Sequence, residues 1–318
     1  MTDSSADQRI AYLGPAGTFT EEALLDQTDL SLSAMVPLAT ISDVLAATSG
    51  GRVDLGFVAI ENSIEGTVRP TIDTLVFEAD LLIQREVVID IDLNLLGLPG
   101  TDIEQIRTVL SHQMAIRQCE NFVAHNLPKA SAEVANSTAH AARRVLESGD
   151  PSVAVIGNSL LADVYQLDIM ARHVEDHEDN QTRFVLVGRD GVPAPTGHDK
   201  TSIAVFQRAN EPGSLLTILQ EFAARGIDLT KLESRPTKKA LDDYCFMIDF
   251  RGHISNEVIA DALRELKITQ QEVKFLGSYP AAGERSRTIR RDAESEWVAA
   301  AKWLEEIQAV VGSGVPAP

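Results

Sequence analysis

From Arg9 to about residue 190, short apolar runs alternate with amphipathic stretches. The runs IAYL (10–13), VDLGFVAI (53–60), IRTVL (106–110), VAVI (153–156) and RFVLV (183–187) have strand length and are separated by turn residues. Helical periodicity falls between them, over 20–26, 42–48, 70–78, 112–125 and 137–147. Thr18 and Glu21 have capping-box spacing ahead of the first helix, and Pro70 suits a first helical turn. Such alternation predicts an α/β fold with mostly parallel sheets. One stretch breaks the rhythm: LLIQREVVIDIDLNLLGL (81–98) is almost entirely β-compatible. It is too long for one strand of about 5–6 residues. It reads as a strand passing between two lobes, one spanning 8–90 plus 175–190 and the other 95–170, with RFVLV as the return. Two lobes with two crossovers form a cleft, a favoured place for a ligand.

A Gly/Pro-rich linker, 191–200, closes this 1–190 region, and the pattern then resets. TSIAVFQ (201–207), a helix over 214–225, IDLTKLESR (227–235), YCFMIDF (244–250), a helix over 255–266 and VKFLGSY (273–279) follow in order. That is βαββαβ within 201–280, the ferredoxin-like sequence of elements. An extension, 281–318, carries one more amphipathic stretch over 292–311 with Trp297 and Trp303.

Charge narrows the function. The 318 residues carry 28 Lys+Arg against 47 Asp+Glu, a net −19, which argues against nucleic acid or an anionic membrane as partner. Residues 1–200 hold 13 basic and 30 acidic side chains, so −17 of it lies there. Taken alone, that excess points to a cationic ligand. Two distant cysteines, no apolar run near 18 residues and no signal-peptide pattern predict a reduced, cytoplasmic setting.

Several segments carry candidate chemistry. GPAGTFTEEA (14–23) joins a strand to a helix start, where N–H groups attract anions, but it lacks the Lys of a P-loop. ENSIEGTV (61–68) follows a strand at its C-terminal edge, as either a ligand contact or an Asx turn. SHQMAIRQC (111–119) places Ser111 as an N-cap, with Gln118 two turns further along one helical face. ANSTAHAARRV (135–145) opens an alanine-rich helix with small hydroxyl residues. In EDHEDNQTRFVLVG (175–188) acids precede Asn180, Gln181, Thr182 and Arg183, the last two expected to face the cleft. His173 and His177 have no third ligand at a recognisable spacing, so no metal site is expected. In the second domain NEPGSLLTIL (210–219) and LESRP (232–236) suggest small-molecule capture.

GPAGTFT, ENSIEGTV, SHQMAIRQC, NSTAHAA and NQTRF, followed by GSLL and ESRP, together resemble the monofunctional bacterial prephenate dehydratases with a C-terminal ACT regulatory domain. The resemblance covers about 9–280, and no helical chorismate mutase segment precedes it. It implies a two-lobed catalytic domain like the type 2 periplasmic binding proteins. It also implies a hydro-lyase that converts prephenate to phenylpyruvate, CO2 and water in phenylalanine biosynthesis, without cofactor. It places catalytic roles on Thr182, Asn62, Ser111 and Gln118, and substrate contacts on Thr18, Glu61, Ser63, Asn136, Ser137, Thr138, Arg183 and Phe184. Feedback by L-phenylalanine is implied at Asn210, Gly213, Ser214, Leu215, Glu233, Ser234 and Arg235, in a homodimer or homotetramer formed through the ACT domains. Two positions depart from the pattern: Gln113 stands where proline is common, and Ser214 where alanine is. A hydroxyl–amide site suits this chemistry, because aromatisation supplies the driving force and the departing hydroxide needs a donor. Thr182 is cast as that donor and Arg183 as a carboxylate partner. Arogenate is a rival substrate; the rival class, a non-catalytic sensor, is disfavoured by the intact Thr182–Arg183–Phe184.

Overall fold

The computed structural model describes residues 8–177, 179–208, 211–237 and 243–282, with 302, 303, 306, 308 and 309; Asn210 and most of the 292–311 helix lie outside them. The chain divides into two units, Met1–Gly191 and Val192–Pro318.

In the first unit β1 (Arg9–Leu13), α1 (Phe19–Leu25), β2 (Ala34–Leu38), α2 (Ile41–Ser49), β3 (Leu55–Asn62), β4 (Gly66–Thr67), α3 (Arg69–Asp73) and β5 (Leu82–Asp90) build one lobe. The second lobe follows with β6 (Asn94–Gly97), β7 (Thr108–His112), α4 (Gln113–Arg117), α5 (Glu120–Asn126), β8 (Ser131–Ala135), α6 (Thr138–Ser148), β9 (Val153–Gly157), α7 (Leu160–Tyr165) and β10 (Asp168–Ala171). The chain then returns as β11 (Gln181–Gly188). The sheets run β2-β1-β3-β11-β5, with β4 paired to β3, and β10-β6-β9-β7-β8. β1, β2 and β3 are parallel, as are β7, β8 and β9, which is the part that alternating βα units dictate. The strands that cross between lobes pair antiparallel instead: β11 with β3 and β5, and β6 with β9. They arrive from the other lobe rather than over a helix, so nothing forces them parallel.

Away from their polar ends at Glu61–Asn62 and Gln181–Arg183, β3 and β11 are buried on both faces, which is why 55–60 and 184–187 read as apolar runs. Phe57 and Phe184 stack between them at 5.3 Å. The helix expected over 112–125 is two short ones. α4 ends at Gln118, and Cys119 opens α5. His112, not Ser111, caps α4; Ser111 is still in β7. β2 and β10 had no strand signal: AMVPL contains a proline, and neither strand is deeply buried.

The lobes touch through the GPAG turn. Gly17 has φ +88°, and a Cβ there would lie 2.8 Å from Leu161 and 3.1 Å from Tyr165. Tyr165 Oη donates to the Ala16 carbonyl at 3.1 Å, and Asn158 Nδ2 to Glu22 at 3.1 Å. In the second unit β12 (Asp199–Phe206), α8 (Ser214–Ala223), β13 (Leu229–Pro236), β14 (Tyr244–Arg251), α9 (Glu257–Thr269) and β15 (Glu272–Pro280) form an antiparallel β13-β14-β12-β15 sheet. Ile218, Phe222, Ile259 and Leu266 of its two helices join the sheet in one core.

Candidate active site

β3 and β11 end side by side, with Asn62 opposite Thr182 and Glu61 opposite Arg183. Asn62 Oδ1 accepts from the backbone N–H groups of Ile64 and Glu65, both at 3.0 Å. This is the Asx turn that the sequence left as one of two readings, and it does not compete with the other. Nδ2 of the same side chain donates to the Gln181 carbonyl at 3.1 Å, to Asn180 Oδ1 at 2.9 Å and to Thr182 Oγ1 at 2.8 Å. Asn180 Nδ2 then donates to Gln118 Oε1 at 2.8 Å. Three of the four expected catalytic residues therefore share one network.

The polarity of that network is fixed by backbone groups. An N–H can only donate and a carbonyl can only accept, so the Asn62 amide has one possible orientation. Each later amide in the chain follows from it. Thr182 Oγ1 is used as an acceptor, and among the described residues nothing takes its proton. Gln118 Nε2 is likewise left with both of its protons. The site thus offers two unspent donors, an O–H from one lobe and an N–H2 from the other, and no charged group within the network.

Ser111, the fourth expected residue, is fully buried and donates to the Ile156 carbonyl of β9 at 2.6 Å. Ser63 exchanges hydrogen bonds with Gln181 N–H and the Asp179 carbonyl, holding the β3 turn against the start of β11. Thr18 caps α1, donating to the Leu13 carbonyl and accepting from Glu21 N–H; the Glu21 carboxylate reaches back to Gly17 N–H rather than to Thr18. Ser137 caps α6 by accepting from His140 N–H at 3.0 Å, with Asn136 before it and Thr138 at the first helical position.

Three expected substrate contacts, Arg183, Glu61 and Phe184, have other partners in the structure. Neighbouring residues of a strand point to opposite faces, so Arg183 turns away from Thr182. Its guanidinium bonds Glu86 at 2.7 Å and Glu61 at 3.4 Å, and Glu86 is itself buried. That pairing gives the buried arginine its counter-charges within the lobe, while the Glu61 side chain stays partly exposed. Phe184 is in the core on Phe57. Asn180 is the residue that sequence reasoning missed. It stood among loop-forming acids and amides, and only the meeting of three distant segments gives it a role.

His173 does gather ligand-type groups, though not with His177. Its Nδ1 is 3.6 Å from Asp92 and 3.5 Å from Glu175. These side chains come from both inter-lobe crossovers, a juxtaposition that spacing along the chain did not show. Nearby, burial together with Asp176 and Glu175 pushes the Cys119 thiol well up, so it stays an un-ionised core group.

In the second unit a cavity of about 280 Å3 is lined by Gln207, Glu211, Gly213, Ser214, Leu215, Ser234, Tyr244 and Phe246. Gly213, Ser214, Leu215 and Ser234 were expected there. Glu233 and Arg235 were also expected, but the alternation of β13 puts them on the face opposite Ser234, where they pair with each other at 3.7 Å. Ser214 Oγ donates to Gln207 Oε1, a use for the hydroxyl that stands in place of alanine.

A prephenate dehydratase family model matches residues 10–192, and an ACT domain model matches 201–267. The chain belongs to the prephenate dehydratase family. A family member from Mycolicibacterium smegmatis is 40% identical over 317 residues, 96% of this chain and 99% of that one. The solved structure of prephenate dehydratase from Arthrobacter aurescens, in complex with L-Phe, superposes with a TM-score of 0.83 at 35% identity, covering 95% and 99% of the two chains. A second solved structure, GqqA, described as a novel type of quorum-quenching acylase, has a TM-score of 0.79 at 30% identity and covers 88% and 100%. Among the described residues no helix is long and apolar enough to cross a membrane.

Proposed function

We propose that the Thr182–Asn62–Asn180–Gln118 network carries the family reaction, loss of CO2 and water from prephenate to give phenylpyruvate. The observation behind this is the polarity of the network: Asn62 donates to the Thr182 oxygen, which leaves the threonine O–H free to donate to another group. The C–C bond to the ring carboxylate breaks and releases CO2. Its electron pair enters the ring as the C–O bond to the ring hydroxyl breaks, and the ring becomes aromatic. Hydroxide leaves while hydrogen-bonded to Thr182 and becomes water with a solvent proton. Such a preorganised donor contributes about 3–4 kcal/mol when its partner gains charge only in the transition state. Gln118 Nε2 and the first-turn N–H groups of α6 hold the carboxylates, since Arg183 is paired elsewhere.

Thr182→Val tests the role cleanly. Asn62 Nδ2 keeps Asn180 and the Gln181 carbonyl as acceptors for its two protons, so the variant leaves no buried donor stranded. The expected result is a kcat at least about 100-fold lower with KM little changed, followed by phenylpyruvate absorbance; a near-normal kcat refutes the assignment. Arogenate in parallel measures the substrate preference, with prephenate expected to be favoured.

The likeness to an acylase raises acyl transfer as a second reading, which requires an activated nucleophile. Ser111 is buried against Ile156, and the Thr182 oxygen accepts an amide hydrogen bond, which lowers its nucleophilicity. The geometry favours the lyase. The cavity beside Gly213 and Ser214 is assigned to L-phenylalanine as feedback effector, in a cytoplasmic homodimer or homotetramer assembled through the ACT units.

A further inference from the structure

We infer that Asn180 is a positioning residue that sets which end of Gln118 faces the substrate; this rests on the lyase reading above. Asn180 is 2% exposed and sits where the two inter-lobe crossovers meet, its carbonyl accepting from Ile91 N–H at 2.7 Å. Its Oδ1 accepts from Asn62 in the first lobe, and its Nδ2 donates to Gln118 Oε1 in the second. Asn62 cannot reverse, because backbone donors hold one end and a backbone acceptor the other. Asn180 therefore cannot reverse either, and among the described residues only its Nδ2–H holds Gln118 Oε1, which leaves Nε2 for the substrate. The residue transmits the orientation of the β3 turn across the cleft, so that both lobes present donors to a dianion.

Asn180→Asp keeps the shape and the acceptor but removes the donor. Gln118 then reverses to donate to the new carboxylate and shows its oxygen to the substrate carboxylate. The expected kcat/KM at pH 8 is about 10- to 100-fold below wild type, the scale of a misoriented contact. Activity recovers as pH falls and the aspartic acid regains a proton to donate. A cycle with Gln118→Ala separates this from simple charge repulsion. If Asn180 acts through Gln118, the Asp substitution costs little in the Gln118→Ala background; repulsion alone would cost as much in both. Asn180→Ala, taken through the same cycle, covers a failure of the Asp variant to fold, and its loss must likewise shrink on Gln118→Ala. Wild-type-like kcat/KM in both Asn180 variants, or additive losses in the cycle, overturns the inference. Wild type is assayed first: no phenylpyruvate from it would refute the lyase reading instead.

Discussion

Ser111 and Thr182 both carry hydroxyls at strand ends, yet their hydrogen bonds run in opposite senses. Ser111 spends its proton on the Ile156 carbonyl, whereas Thr182 accepts and keeps its proton. Ser111→Ala should therefore cost about 1 kcal/mol of stability, the usual size of one buried hydrogen bond, and lower kcat by less than about 10-fold. Urea unfolding and steady-state rates measure the two effects. A loss of 100-fold or more would place Ser111 on the reacting atoms. At this scale the sequence showed which residue types matter but not which way each faces. Thr182, Arg183 and Phe184 are contiguous in a motif, yet strand alternation and the Phe57 stack divide them between the site, an ion pair and the core. Asn180 was unreadable for the converse reason: its partners lie 62 and 118 residues away.

The elements that were legible are those whose burial imposes a simple period. β3 over 55–60 and β11 over 184–187 are apolar because both faces are covered there, and α6 announces itself through Ser137 and its buried alanines. β2 and the break between α4 and α5 were not, because a half-exposed strand and a helix interrupted at Gln118 obey no single period. Elements also determine how the lobes are clasped. Glu22 of α1 accepts from Asn158 and Ser159 beyond β9, and burial is the largest influence on it, raising its carboxyl above the usual range. The folded chain thus binds this proton more tightly than the unfolded chain. Its contribution to stability falls as pH rises from the ordinary carboxyl range through the raised value. Glu22→Gln keeps an acceptor for Asn158 and removes the buried charge. Its melting temperature should exceed that of wild type at pH 7, and the gap should close below about pH 4, where an ordinary carboxyl is protonated too. A gap that does not change with pH, or a lower melting point at pH 7, would show that the carboxylate strengthens the clasp.

For the molecule as a whole, charge and substrate are mismatched. Net −19, with −17 of it in residues 1–200, faces a predicted dianion, so bulk charge pointed to the wrong kind of ligand. The network resolves this locally: it is built from one hydroxyl and three amides, and Glu61 beside it is paired with Arg183. Attraction thus operates over hydrogen-bond distances, while repulsion from the outer acids operates over many ångströms. Salt treats the two unequally. At about 0.15 M the screening length is about 8 Å, which removes most of the long-range repulsion but weakens a desolvated contact much less. Substrate capture should therefore improve with salt, the reverse of an enzyme that steers its substrate electrostatically. Raising ionic strength from about 0.01 to 0.15 M with an inert salt should increase kcat/KM about twofold or more with kcat nearly constant. The initial slope of phenylpyruvate formation at low prephenate reads this directly. If kcat/KM falls instead, a cationic patch must face the approaching substrate, and the acidic excess does not govern its encounter with the cleft.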